Sequence, residues 1–146
     1  MKRVLIVCTA AFAALLLPGA ASGGTVSPSV YLGDLDAVEG SEVKLKARIG
    51  NGEKRVVSFA VRNVPVDCEG NEKFILPRVV LRGRIPVEQR HFAVKDDNGT
   101  TTFEVEGRLG VRKVTGRFRY FGSMDTGEQM RDCDTGGRSF TARLSA

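Results

Sequence analysis

The sequence predicts a small all-β domain, an antiparallel β-sandwich of jelly-roll-like form, preceded by a leader and held by one disulfide. Three observations predict it. Apolar residues recur at every second position through most of the chain, turn-forming residues separate those runs at short intervals, and two of the three cysteines lie beyond the N-terminal apolar segment.

The N-terminal segment reads as an export signal. Lys2 and Arg3 form a positive start, Val4 to Leu17 is an apolar run with only Cys8 and Thr9 as mild exceptions, and Pro18-Gly19 break it before Ala20-Ala21-Ser22. That is the three-part pattern of a secretory leader, with cleavage after Ala21 or Ser22. The run is shorter than the roughly 20 apolar residues a spanning helix needs. Cys8 lies inside it, where lipidation is not expected. Residues 1–22 are therefore read as signal peptide, 23–30 as a short extension and 31–146 as the domain. Cleavage leaves no segment expected to insert in a membrane.

Losing Lys2 and Arg3 lowers the net charge from +5 to +3. So mild a surplus does not point to nucleic acid, whose partners carry strong, clustered positive charge. The cysteines that remain, Cys68 and Cys133, are even in number, and in an oxidising compartment they read as a disulfide. Their acidic neighbours, Asp67 and Glu69, Asp132 and Asp134, disfavour a reactive thiolate.

The strands follow from alternation. Val30 to Leu32 marks a short first strand, followed by an acidic loop from Asp34 to Glu42. Val43, Leu45, Ala47 and Ile49 alternate with Lys44, Lys46 and Arg48, and Val57, Phe59 and Val61 with Ser58 and Ala60. Further runs are Phe92 and Val94; Phe103, Val105, Gly107 and Leu109; Val114, Gly116, Phe118 and Tyr120; and Phe140, Ala142 and Leu144. Each buries one face and wets the other. Gly50-Asn51-Gly52, Glu69-Gly70-Asn71, Asp97-Asn98-Gly99 and Gly136-Gly137 separate them.

Turn chemistry sets the expected register. A two-residue Asn98-Gly99 turn pairs Val94 with Phe103 and Phe92 with Val105. A turn at Val111-Arg112 pairs Leu109 with Val114, Val105 with Phe118 and Phe103 with Tyr120. The result is a three-stranded meander with His91, Glu106 and Arg117 in one outer row. At Asn51-Gly52 a two-residue loop sets Leu45 opposite Ser58, against the pattern; a three-residue loop with Gly52 left-handed restores Val57 or Phe59. The stretch Gly122 to Gly137 reads as a long polar loop in which Asp125 and Glu128 cap one helical turn, weakened by Gly127.

Tyr31-Leu32-Gly33, Val64-Pro65-Val66-Asp67-Cys68, Ile85-Pro86 ahead of Phe92, the paired Gly107 and Gly116, and Cys133-Asp134-Thr135-Gly136 occur in an order that resembles small exported bacterial β-proteins of unassigned function. The family's last strand often carries Trp, whose place Phe140 takes here. The resemblance implies the β-fold, the cysteine pair and export, and implies no activity.

Catalytic patterns are sparse. His91 is the lone histidine, so a multi-histidine metal site does not arise, and two cysteines are too few for a thiolate zinc site. No Gly-x-Ser-x-Gly elbow surrounds a serine. The acidic residues Asp125, Glu128, Asp132 and Asp134 match no calcium loop, and solvated carboxylates are the plainer reading. No cofactor and no catalytic residue are assigned. Without Trp, and with only Tyr31 and Tyr120, an aromatic sugar platform is not expected. Arg82, Arg84, Arg108, Arg112, Lys113, Arg117 and Arg119 could face an anionic cell-envelope polymer or a surface protein, with Arg108, Arg117 and Arg119 as the candidate face. The competing account pairs these arginines with Glu104 and Glu106 across strands. Asn98-Gly99-Thr100 matches a glycosylation acceptor. The expectation is a secreted, non-catalytic β-sandwich with a structural or interaction role at or outside the cell surface; the alternative is a small secreted hydrolase using carboxylates or a Ser-His pair.

Overall fold

The computed structural model describes residues 27–50 and 52–146; the leader lies outside them. The described residues form strands and turns without a helix. In chain order the strands are β1 (Ser29–Leu35), β2 (Glu42–Gly50), β3 (Glu53–Cys68), β4 (Glu72–Pro86), β5 (His91–Asp97), β6 (Thr101–Leu109), β7 (Lys113–Asp125), β8 (Met130–Asp134) and β9 (Arg138–Leu144). β1 thus opens inside the segment read as an extension.

All pairings are antiparallel, in the order β4-β3-β2-β1-β9-β7-β6-β5, and β8 pairs with both β3 and β7. The hydrogen-bonded path β3-β2-β1-β9-β7-β8 therefore returns to β3. One continuous sheet folds over on itself, an arrangement compatible with the sandwich form and consistent with closure as a means of removing free strand edges. The all-β, antiparallel, single-disulfide expectation holds.

The interior is filled by the inward residues of each alternating run. Phe59 on β3 sits at its centre, with ring centroids 5.1 Å from Phe140 on β9, 6.1 Å from Phe103 on β6 and 6.2 Å from Phe118 on β7. These tilted ring pairs join strands that are not neighbours in the sheet, and so they clamp its two halves together. Tyr31, Leu45, Val56, Val61, Val64, Val66 and Val114 are among the other fully buried residues. Tyr31 Oη donates to the Gly110 carbonyl at 3.1 Å, which satisfies its polar tip. Ser41, also buried, accepts from Leu35 N–H at 2.9 Å and donates to the Val38 carbonyl at 2.8 Å, fixing the loop between β1 and β2.

The meander of β5, β6 and β7 is present. Leu109 pairs with Val114, Val105 with Phe118 and Phe103 with Tyr120, as turn chemistry predicts. The β5–β6 register differs: Val94 lies opposite Val105, Phe92 opposite Gly107 and Asp97 opposite Thr102. The connection is four residues rather than two, because Asn98 Oδ1 accepts from the backbone N–H groups of Thr100 and Thr101 at 3.1 and 2.8 Å, and Asn98 N–H donates to the Thr101 carbonyl. The Asn side chain makes the turn that the backbone of a type I′ loop would have made. A shift of two leaves every side chain on its expected face. It does move His91 opposite Arg108, and Ala93 takes the place beside Glu106 and Arg117.

At the β2–β3 hairpin Leu45 does face Phe59, but by another device. Gly50 pairs with Glu53, and the odd residue is absorbed by a bulge: Lys46 pairs with Ser58 while Ala47 pairs with Val56. Val57 is the extra residue, so Val56 takes the inward place read for Val57. Further along β3, Asn63 adopts φ 55°, which lets Val61 and Val64 both point inward.

Two strands went unread. β4 buries few residues along its length, carries Pro77, and shows no clean alternation. As an edge strand it needs no N–H at Pro77 on its free side. The stretch read as a long polar loop with a helical turn is instead the end of β7, a turn at 126–129, and β8. Asp125 Oδ1 accepts from Gly127 N–H at 2.8 Å and Gly127 takes φ 89°, so the residues expected to start a helix close a hairpin.

A candidate anion-binding face

The Cys133-Asp134-Thr135-Gly136 segment is structural in each of its residues. Cys133 is disulfide-bonded to Cys68, its register partner across β3 and β8. Asp134 takes a two-pronged contact from Arg119, Nε to Oδ1 at 3.1 Å and Nη2 to Oδ2 at 2.5 Å. Those hydrogen bonds hold the Asp134 carboxyl below the ordinary aspartate range against a smaller opposing effect of burial, and they push the Arg119 guanidinium up. Thr135 is buried; its Oγ1 accepts from Tyr120 N–H at 2.9 Å. Gly136 supplies φ 63° and its N–H reaches Asp134 at 2.7 Å.

The candidate face of Arg108, Arg117 and Arg119 lies, as alternation predicts, on the outer side of β6 and β7. Its charges do not act together. Arg119 stands between Glu104, its register partner, and Asp134; Arg117 stands opposite Glu106. Glu104 also meets Lys95 at 3.0 Å. Lys95, Glu104, Glu106, Arg117 and Arg119 line a groove of about 500 Å³ that carries both signs and is open to solvent. Arg108 differs: it is exposed, faces Thr115 on one side and His91 on the other, and makes no ion pair among the described residues.

His91 is exposed. Its backbone exchanges hydrogen bonds with Glu88 at 2.7 and 2.8 Å, and no side-chain hydrogen bond involving it is present among the described residues. Three of the four loop carboxylates are engaged locally, Asp132 with Ser123, Asp125 with Gly127 and Asp134 with Arg119, while Glu128 is exposed. Among the described residues no three His, Cys, Asp or Glu side chains are grouped to hold a metal ion.

A larger group of cations lies on the outer side of β4, β3, β2 and β9, continuing to Lys113 on β7. Outward positions alternate with the buried ones, and the register lines them up in rows. One row runs Pro86, Arg55, Arg48 across β4, β3 and β2; the next runs Arg82, Ser58, Lys46, Val30. A third runs Val80, Ala60, Lys44, Leu32 and Arg143, and reaches Lys113 on β7. Beyond it lie Arg78 and Arg62, bordered by Glu42. Three register pairs set like charges face to face: Arg48 with Arg55, Arg62 with Arg78, and Lys113 with Arg143. Glu53 relieves Arg55 at 3.7 Å and Glu42 relieves Arg62 at 3.6 Å. Among the described residues Lys44, Lys46, Arg48, Arg78, Arg82, Lys113 and Arg143 have no ion pair.

Directly opposed like charges destabilise a sheet, so their repetition on one face is a cost to the isolated molecule that a bound anion would remove. Of this band, sequence reading singled out Arg82 and Lys113. Lys44, Lys46 and Arg48 are legible as the wet side of β2, but the rows they belong to continue through β3 onto β4, whose pattern hid it. No family model matches the chain, and no curated protein or solved structure matches it either. Of the family resemblance, the Cys68–Cys133 disulfide is the part found in the structure.

Proposed function

We propose that this is a secreted, non-catalytic interaction module that binds an anionic partner at or outside the cell surface. The observation that carries the reading is the band of cations whose members on β4, β2, β9 and β7 have no ion pair among the described residues. Its repeated like-charge pairs serve no packing purpose and suit an occupant of opposite sign. The disulfide fits an oxidising, non-cytoplasmic setting, and the leader-like N-terminus supports export. The rival, a hydrolase, would be supported by carboxylates of raised pKa converging in a cleft; Asp134 departs in the opposite direction, drawn down by Arg119.

Co-sedimentation of the purified disulfide-bonded protein with cell-envelope fractions tests this. Retention at low ionic strength and release as salt rises are expected. Retention indifferent to salt, or turnover of an ester, glycoside or peptide substrate, counts against it.

A further inference from the structure

Building on that reading, we infer that the anionic partner is a flexible linear polyanion, a chain carrying one phosphate, sulfate or carboxylate per repeat, laid across the strands along the cation band.

The shape of the band supports this choice. From β4 to β7 it crosses β3, β2, β1 and β9. At about 4.8 Å per strand that is a path of roughly 24 Å. The path follows the outside of a sheet whose strands β3-β2-β1-β9-β7-β8 form a closed ring, so it curves away at both ends. A flat bilayer or a rigid duplex touches only part of such a surface, whereas a flexible chain can follow it. The charge is also distributed as a chain requires. Arg62 and Arg78 sit together at one end, Lys44 and Lys46 in the middle, and Arg143 with Lys113 at the other end. Directly opposed residues have Cα atoms about 5 Å apart, close enough for two cationic tips to share one anionic group. Between these anchors the face carries Ala60, Val80 and Leu32 and no aromatic ring, so it offers no platform on which unpaired bases could stack. The exposed Leu32 and Val80 are too few to insert into lipid.

The test measures binding of the exported, disulfide-bonded protein to long-chain polyphosphate, a sulfated polysaccharide and a polyuronate, beside anionic phospholipid vesicles and duplex DNA. Variants R78E, K113E and R117Q are compared. Arg78→Glu and Lys113→Glu each place a carboxylate opposite an arginine, so folding stability is expected to hold or rise. Binding to at least one flexible polymer is expected to weaken roughly tenfold or more for each reversal, with a shallower salt dependence. Arg117→Gln, off the band and opposite Glu106, is expected to leave binding unchanged. Which polymer binds best identifies the anionic group. Preference for vesicles or duplex DNA over every flexible polymer overturns the inference while leaving the proposed function standing. Equal loss from R117Q also overturns it. Binding to no anion of any kind removes both.

Discussion

Cys133 lies directly opposite Cys68 where β8 meets β3, with their Cα atoms 4.0 Å apart. Only one other register pair, Asp67 with Asp134, joins these strands. The seam that closes the ring is therefore short, and the covalent bond spans it. Arg131 reinforces it from β8, donating to the Glu69 carbonyl at 2.8 Å and meeting Glu72 at 3.1 Å.

Removing the disulfide should consequently be costly. The cysteines are 65 residues apart in sequence, and chain entropy assigns a loop of that size about 4 kcal/mol. The Cys68→Ala/Cys133→Ala double variant is expected to lose that order of stability in urea unfolding. Amide exchange should rise first in β8 and the end of β7, where the ring would open. A loss under about 1 kcal/mol, with β8 still protected, would show that Arg131 and the core hold the seam unaided.

Gly107 and Gly116 face each other across β6 and β7, and aromatic rings take the space their side chains leave. A Cβ at Gly116 would meet the Glu106 carbonyl and lie 2.7 Å from Phe140 Cζ; one at Gly107 would lie 2.7 Å from Phe92 Cζ and 2.8 Å from the Thr115 carbonyl. Backbone oxygen cannot yield as a flexible side chain does. Gly116→Ala is therefore expected to destabilise by about 1–3 kcal/mol, the range of overpacked sites, in denaturant titration. A neutral result would mean that the Glu106 carbonyl and Phe140 both shift at little cost.

What the sequence revealed divides along the physics of alternation. Where one face is buried and the other wet, as in Val43 to Ala47 or Phe103 to Leu109, period two placed the side chains on their correct sides. Even the register error between β5 and β6 preserved the faces, because the Asn98 turn lengthened the loop by two residues. Bulges were invisible. The inward switch from Val57 to Val56 depends on an unpaired residue opposite Lys46 and Ala47, and composition cannot show that. β4 failed for a different reason: an edge strand with few buried positions and a proline carries little pattern. For the same reason the rows of cations that run onto β4 could not be assembled from the sequence. Arg117 and Arg119 are on the side expected, but the ion pair of Arg119 with Asp134 depends on β8, and the cation band includes Arg78 and Arg82 on β4, both strands that carry little pattern.

His91 bears on the choice between binding module and hydrolase. Its side chain is exposed, opposite Arg108, while its backbone holds the turn with Glu88. His91→Ala is expected to shift stability by no more than about 0.5 kcal/mol and to leave polyanion binding within twofold of wild type. If the native protein turned over a screened substrate and this variant did not, histidine chemistry would be restored as the better account.

The alkaline limit of stability should trace to Tyr31. Its ring is fully buried between β2 and β9, and burial raises its pKa above the ordinary tyrosine value of 10.0. In the unfolded chain the phenol ionises at that ordinary value, while in the native protein it resists ionisation. The unfolded state therefore loses its proton first. The stabilisation is complete below about pH 10 and declines as pH rises from there toward the folded pKa. Tyr31→Phe removes the titrating group together with the hydrogen bond to Gly110, so at neutral pH it should cost about 1 kcal/mol. Above pH 10 the gap between variant and wild type should narrow, because only the wild type pays for keeping a phenol neutral. Thermal unfolding followed from pH 7 to 11 measures both effects, and parallel curves over the whole range would show that another group sets the alkaline limit.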